Sequence, residues 1–304
     1  MKTLIVLLVM AVPAILGVAF FTAPSAPKKD IRIENRPKVP GKLRLHMRER
    51  REETKGSGDF KPRERTEDWD VAETAIVVCD MWDDHYCKMA AQRVGVMAPR
   101  MNQVLTAARD RGVMILFAPS ETMNIYEGSI QRTRMEQAVR IKPPVPILKR
   151  CARDPNSDEP PLPIDPDVNG CDDCDQGPEV RRHSRQHPSL DITGFDGISD
   201  DGEEIYNFCR QEGIKNIVLM GVHTNYCIMN RSFGIRQTTR LGMKIVLVRD
   251  LTDALVDPRQ PPFVSHARGT ELVVEHIEKY WCPSIASADL LQVVPGSDGP
   301  AARK

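Results

Sequence analysis

An α/β fold built on a mostly parallel sheet is predicted by three observations. Short continuous apolar runs alternate along the chain with stretches of helical period. The runs lack the polar alternation of a half-exposed strand, so they read as strands buried on both faces. Glycines close several of the helical stretches just before the next run begins. Strands that alternate with helices imply right-handed crossovers and a sheet covered on both sides.

The elements follow in order. Lys2 precedes an apolar run over residues 4–21, and the small residues Ala23, Pro24, Ser25 and Ala26 come next. That pattern predicts a signal peptide over 1–26, or a membrane anchor, since the run is about long enough to span a bilayer. The expected location is exported, periplasmic or extracellular, with membrane contact only through this segment if it is uncleaved. Residues 27–69 are rich in proline, glycine and charge and read as a basic linker or arm. The folded body is expected over 70–295, and 296–304 as a flexible tail. Within the body, Thr74–Cys79 (TAIVVC), 113–118 (VMILFA), 217–222 (IVLMGV) and 244–248 (KIVLV) read as strands. Helices are expected over 89–111, 200–212, 227–241 and 266–280, with a last short strand near 290–294.

Composition narrows the function class. The 304 residues carry 42 basic and 42 acidic side chains, which argues against a nucleic-acid binder. The zero is a sum of opposites. Residues 28–65 hold 14 Lys/Arg against 7 Asp/Glu, whereas 154–179 hold nine acids and no Lys or Arg. A hydrophobic fraction of 41% excludes wholesale disorder.

In a parallel sheet the active site lies beyond the carboxyl ends of the strands. Asp80 directly follows the first apolar run, and Cys227 stands where the third turns into a helix. A thiolate is favoured at a helix start, and a neighbouring carboxylate can take the thiol proton. Each residue alone has an ordinary explanation, a helix cap for Asp80 and a small core residue for Cys227.

The surrounding segments favour the chemical reading. TAIVVCDMWDDHYC at 74–87, GVHTNYCIMNRSFGIRQTTRLG at 221–242 and KIVLVRDLTDA at 244–254, with His266 opening the last helix, resemble the isochorismatase-like cysteine hydrolases, the family of nicotinamidases and N-carbamoyl amidohydrolases. The resemblance covers roughly residues 70–285 and implies a three-layer α/β/α fold. It implies an Asp–Lys–Cys triad with Asp80 as general base and Cys227 as nucleophile. It also implies a cis peptide between Val222 and His223, with the backbone N–H groups of His223 and Cys227 forming an oxyanion hole. The reaction it implies is cleavage of a C–N bond in a small amide or N-carbamoyl compound through a thioester, with no cofactor required. A homo-oligomer and a small-molecule substrate are the partners it implies.

Two departures stand out. No lysine lies between Arg181 and Gly213, where the family lysine is expected. Arg185 is the nearest cation, with Arg182 and His187 as rivals and Lys142 and Lys149 as more distant candidates; an arginine cannot shuttle a proton. The stretch after the second strand, SETMNIYEG, lacks the Asp-x-His of a nicotinamidase metal site. Trp82, His85, Tyr86, Thr224 and Arg231 are candidate pocket residues, Arg231 being able to meet a substrate carboxylate or Asp80, or with Arg236 to serve an interface. The missing lysine also supports an alternative, a catalytically silent binding or scaffold relative.

Residues 143–180 form an insertion with nine prolines and nine acids, expected to be a long loop or lid. Asp165, Asp167, Asn169 and Asp173 have the oxygen spacing that opens a calcium loop, but Gln176 stands where the bidentate Glu belongs. A structural Ca2+ or a solvated acidic turn both fit. Cys171 and Cys174 form a C-x-x-C that reads as a local disulfide.

Overall fold

The computed structural model describes residues 36–173 and 182–294. The expected signal or anchor segment, the tail over 296–304, Cys174 and Gln176 lie outside the described residues. Among the described residues no helix is long and apolar enough to cross a membrane.

The centre of the fold is a sheet of nine strands. Its parallel core is made of β3 (Thr74–Cys79), β4 (Met114–Ala118), β5 (Gly197–Ile198), β6 (Asn216–Val222), β7 (Lys244–Asp253) and β8 (Ser284–Ile285). The order across this core is β8-β7-β6-β3-β4-β5. Every residue of β3, β4 and β6 is buried, as their unbroken apolar runs require. Along β3, Ile76 and Val78 face a layer containing helix α1 (Lys88–Asp110) through Val94, Met101 and Leu105. Ala75, Val77 and Cys79 face the opposite layer. That layer holds α2 (Ile130–Glu136), α4 (Gly202–Glu212), α5 (Cys227–Asn230), α6 (Ile235–Arg240) and α7 (His266–Tyr280), while α3 (Pro166–Asn169) is a single turn in the insertion. The chain is a three-layer α/β/α protein.

The stretch read as a basic linker or arm is different. β1 (Lys42–Glu52) and β2 (Phe60–Asp70) form an antiparallel hairpin, and β1 joins the edge of the sheet beside β8. Leu43, Leu45 and Met47 are fully buried while Arg44 and His46 point out. This is the period-two pattern of a half-covered strand, diluted in the composition by its charged outer face. The last short strand is β9 (Val293–Val294), antiparallel on β1.

The helix expected over 227–241 is two short helices. Arg231 leaves the helical conformation with φ −61° and ψ 159°, and Gly234 lets the chain pass close to the turn before it. A Cβ at Gly234 would lie 2.7 Å from the Ile228 carbonyl oxygen. The break releases the Arg231 side chain from the helix surface.

The described part of the insertion, residues 143–173, is anchored to the body at several points. Cys151 and Ile164 are fully buried, and residues 150–151 run against Asn230 and Arg231, with the Cys151 N–H donating to the Asn230 carbonyl at 2.7 Å. Glu159 is buried against Arg236, with His276 at 3.1 Å. Arg236 is therefore spent inside this chain, which removes it from the interface role considered for it.

Candidate active site

Asp80 and Cys227 meet where β3 and β6 end side by side. The two strands are paired in parallel register, Cys79 opposite Gly221. Gly221 has φ +110°, and a Cβ there would fall 2.1 Å from the Cys79 carbonyl oxygen, so only glycine lets the strands close at this point. Asp80 itself takes a left-handed φ of 48°, a conformation that aspartate tolerates better than most residues. Its N–H donates to the Ala118 carbonyl at 3.1 Å.

The Asp80 carboxylate is fully buried and held at both oxygens. Oδ1 accepts from the Ser120 backbone N–H at 2.8 Å, and Oδ2 from Arg231 Nε at 3.1 Å. The buried Cys227 thiol lies near enough to that carboxylate to feel its charge. Burial raises the Cys227 pKa well above the usual thiol range and the Asp80 charge adds to the rise, while Arg231 and the His223 backbone pull the other way. The resting group is therefore a protonated thiol beside a carboxylate. Because α5 is a single turn, helix-dipole activation contributes little here.

Arg231 is the cation on Asp80. Burial lowers its pKa, but Asp80, Cys227 and Cys79 together outweigh this, so the net shift is upward and the guanidinium is permanently charged. Arg185 lies elsewhere. It is exposed, and its main chain pairs with Asp83 through an Asp83 N–H to Arg185 carbonyl bond of 3.1 Å. Arg182, Lys142 and Lys149 are exposed as well, and His187 is anchored through its N–H to the Met81 carbonyl at 2.7 Å.

The peptide between Val222 and His223 is cis. Among the described residues the Cys227 N–H donates to no backbone carbonyl or side chain. Thr224 is fully buried and acts as a brace: its N–H donates to the Asp253 carbonyl at 2.8 Å and its hydroxyl lies 2.8 Å from that of Thr252. Two residues were missed by the side-chain pattern. Ser120 works through its backbone N–H, which no sequence motif advertises. Asn225 is buried and bridges the Leu255 backbone, with Nδ2 on the carbonyl at 2.8 Å and Oδ1 on the N–H at 2.9 Å.

Aromatic and imidazole rings lie together beside the pair. Trp82 stacks on His183 at 4.2 Å and donates Nε1–H to the Ser120 carbonyl at 3.0 Å. His85 lies 4.2 Å from Tyr86 and 4.9 Å from His223. Burial, helped by His183, depresses His85 to about 4, and its Nδ1 accepts the Cys87 N–H at 3.2 Å. Both observations make His85 neutral with its proton on Nε2. Burial likewise keeps His223 neutral, and its Nε2 has no hydrogen-bond partner among the described residues. His266 Nε2 lies 2.8 Å from Asp253, which Arg93 links to Asp172 of the insertion.

Two of the calcium-spaced residues bond to the protein's own backbone. Asp165 caps α3 through the Asp167 N–H at 2.9 Å, and Asp173 accepts the Lys88 and Met89 N–H groups at 3.0 Å each. Asp167 is exposed, and Asn169 contributes backbone to α3. Among the described residues, a different set, Cys87, Cys171 and Asp173, brings donor atoms within 4.8 Å of one another. Cys171 is disulfide-bonded, however, and a disulfide sulfur is not a thiolate ligand.

Residues 74–270 match the family model of the isochorismatase domain. Among solved structures, a cysteine hydrolase from Pseudomonas syringae pv. phaseolicola 1448A is 17% identical with a TM-score of 0.43, covering 72% of this chain and 91% of that one. An N-carbamoylsarcosine amidase from Thermoplasma acidophilum is 13% identical with a TM-score of 0.35, covering 62% and 87%. Nothing matches among curated proteins.

Proposed function

Because the chain belongs to the isochorismatase family, we propose that it is a hydrolase in which Cys227 attacks the carbonyl carbon of a small amide or N-carbamoyl compound. The observation that carries this reading is the buried Asp80 carboxylate, which lies beside the Cys227 thiol at the paired ends of β3 and β6 and is fixed by Arg231 and Ser120. Asp80 takes the thiol proton as sulfur bonds to carbon. The oxyanion that develops meets the N–H groups of His223 and Cys227. As the C–N bond breaks, Asp80 returns the proton to the leaving nitrogen and a thioester remains on Cys227. Water then gives a proton to Asp80, attacks the thioester and releases the acid, and the proton goes back to sulfur. Arg231 holds Asp80 in position at each step without moving a proton itself.

A panel of primary amides and N-carbamoyl amines, followed by ammonia release, tests the proposal. Hydrolysis of at least one member is expected, with an acyl adduct at Cys227 seen by mass spectrometry after acid quench. In Cys227→Ala turnover should fall by about a thousandfold or more, the scale of losing a nucleophile. No release across the panel and no adduct would favour the silent scaffold instead.

A further inference from the structure

The insertion brings a second arginine to the candidate active site. Arg150 and Arg231 form an isolated antiparallel bridge, and directly opposed residues of such a pair project from one face. From that face Arg231 Nε reaches Asp80 Oδ2 at 3.1 Å. The Arg150 guanidinium lies over the ring of Tyr226, 4.3 Å from its centre, and donates from Nη1 to the Tyr226 hydroxyl. Tyr226 directly precedes Cys227. The main chain that carries Arg150 is tied down on both sides. The Cys151 N–H donates to the Asn230 carbonyl at 2.7 Å and the Leu148 N–H to Gln237 Oε1 at 3.0 Å, while Gln237 Nε2 donates to the Pro146 carbonyl at 3.2 Å.

The charges around this arginine are unevenly committed. Arg231 is paired with Asp80, and Arg93 with Asp253 and Asp172. His85 and His223 are neutral and supply no counter-charge. Arg150 is exposed, and among the described residues no carboxylate pairs with it. Stacking on Tyr226 fixes the plane of its guanidinium, and the hydroxyl occupies only part of the donor fork. The remaining N–H groups form a planar set that fits a carboxylate.

We propose that Arg150 is a specificity residue that binds a carboxylate of the substrate. The hydrolysed compound is then an amide or N-carbamoyl compound that carries an acid group near its scissile bond. This inference rests on the hydrolase reading above and narrows its substrate class. Tyr226 links recognition to chemistry, because its ring seats Arg150 and its own peptide carbonyl joins the nucleophile. The insertion thereby contributes to substrate choice, and a lysine at position 150 would lack the fork.

The test compares alkylation of Cys227 in the full-length protein by iodoacetate and by iodoacetamide, two reagents of similar size that differ in charge. Rates are read in mild alkali from the Cys227 peptide by mass spectrometry. Both reagents meet the same thiolate, so any change in its ionisation cancels from the ratio of the two rates. In Arg150→Met the iodoacetate-to-iodoacetamide ratio is expected to fall at least about tenfold, the scale of one charge-assisted hydrogen bond. Arg153→Met removes the same charge elsewhere on the insertion and should leave the ratio close to that of wild type. An unchanged ratio in Arg150→Met overturns the proposal, as does an equal fall in Arg153→Met, which would assign the effect to net charge. A Cys227 that neither reagent reaches also overturns it, because a site closed to iodoacetate cannot admit a larger acid. The ratio does not depend on turnover. Labelling with an unchanged ratio therefore removes the carboxylate while leaving the hydrolase reading intact, and silence across the amide panel removes that reading by itself.

Discussion

Replacing Asp80 by asparagine is expected to slow hydrolysis by about 10² to 10⁴-fold, the usual contribution of a positioned general base. The same change should make Cys227 more acidic. Burial and the Asp80 charge both raise the thiol, and asparagine removes the second while leaving Arg231 in place. Turnover and nucleophile ionisation therefore move in opposite directions. Ammonia release gives the first quantity, and the pH midpoint of iodoacetamide alkylation at Cys227 gives the second. A rate that falls while the thiol becomes easier to ionise assigns the loss to the missing base rather than to a less reactive nucleophile. Unchanged turnover in Asp80→Asn would exclude it as the base.

The second large effect concerns stability. Burial alone would raise Glu159, but hydrogen bonds from His276 and Arg236, and the Arg236 charge, bring it down to about 2. A carboxylate whose folded pKa is depressed contributes stability that is present above its unfolded value. That contribution is lost as pH falls through the folded value. The window here runs from about 4.5 down to about 2. Glu159→Gln leaves a buried guanidinium without its counter-charge, a change that costs about 3 to 5 kcal/mol in comparable sites. Urea titrations at pH 7 and pH 3 measure both effects: the variant should be less stable at pH 7, and the gap from wild type should narrow at pH 3. Equal midpoints at pH 7 would mean that the pair does not anchor the insertion.

The parallel core was legible because its strands are unmixed apolar runs, so both their position and their double burial could be read without a partner. Asp80 and Cys227 were legible for the same reason, as the first chemically distinctive residues beyond two such runs. The hairpin was not. Leu43, Leu45 and Met47 alternate correctly, yet the strand's outward face and its partner β2 are so charged that the composition resembles a tether. β5 and β8 contain two residues each, too few to show any period. The cation on Asp80 illustrates a different limit. Arg185 is favoured by sequence distance from the cysteine, whereas Arg231 reaches Asp80 because the helix breaks at that residue. A broken helix is a tertiary outcome of Gly234 and of the insertion strand lying alongside, and neither is visible as a spacing. Ser120 acts through its main chain, where side-chain patterns are silent.

Cys79, Cys87, Cys151, Cys209, Cys227 and Cys282 are all free and all buried, in a molecule that also carries a disulfide at Cys171. Folding buries all six of these sulfurs. Once the chain opens, they are exposed together with a disulfide that any of them can attack. Scrambling then competes with refolding, and the route back closes. The working lifetime of this protein is therefore set by how seldom it unfolds, and mildly acidic solution, which keeps the thiols protonated, would lengthen it by slowing exchange in the opened chain.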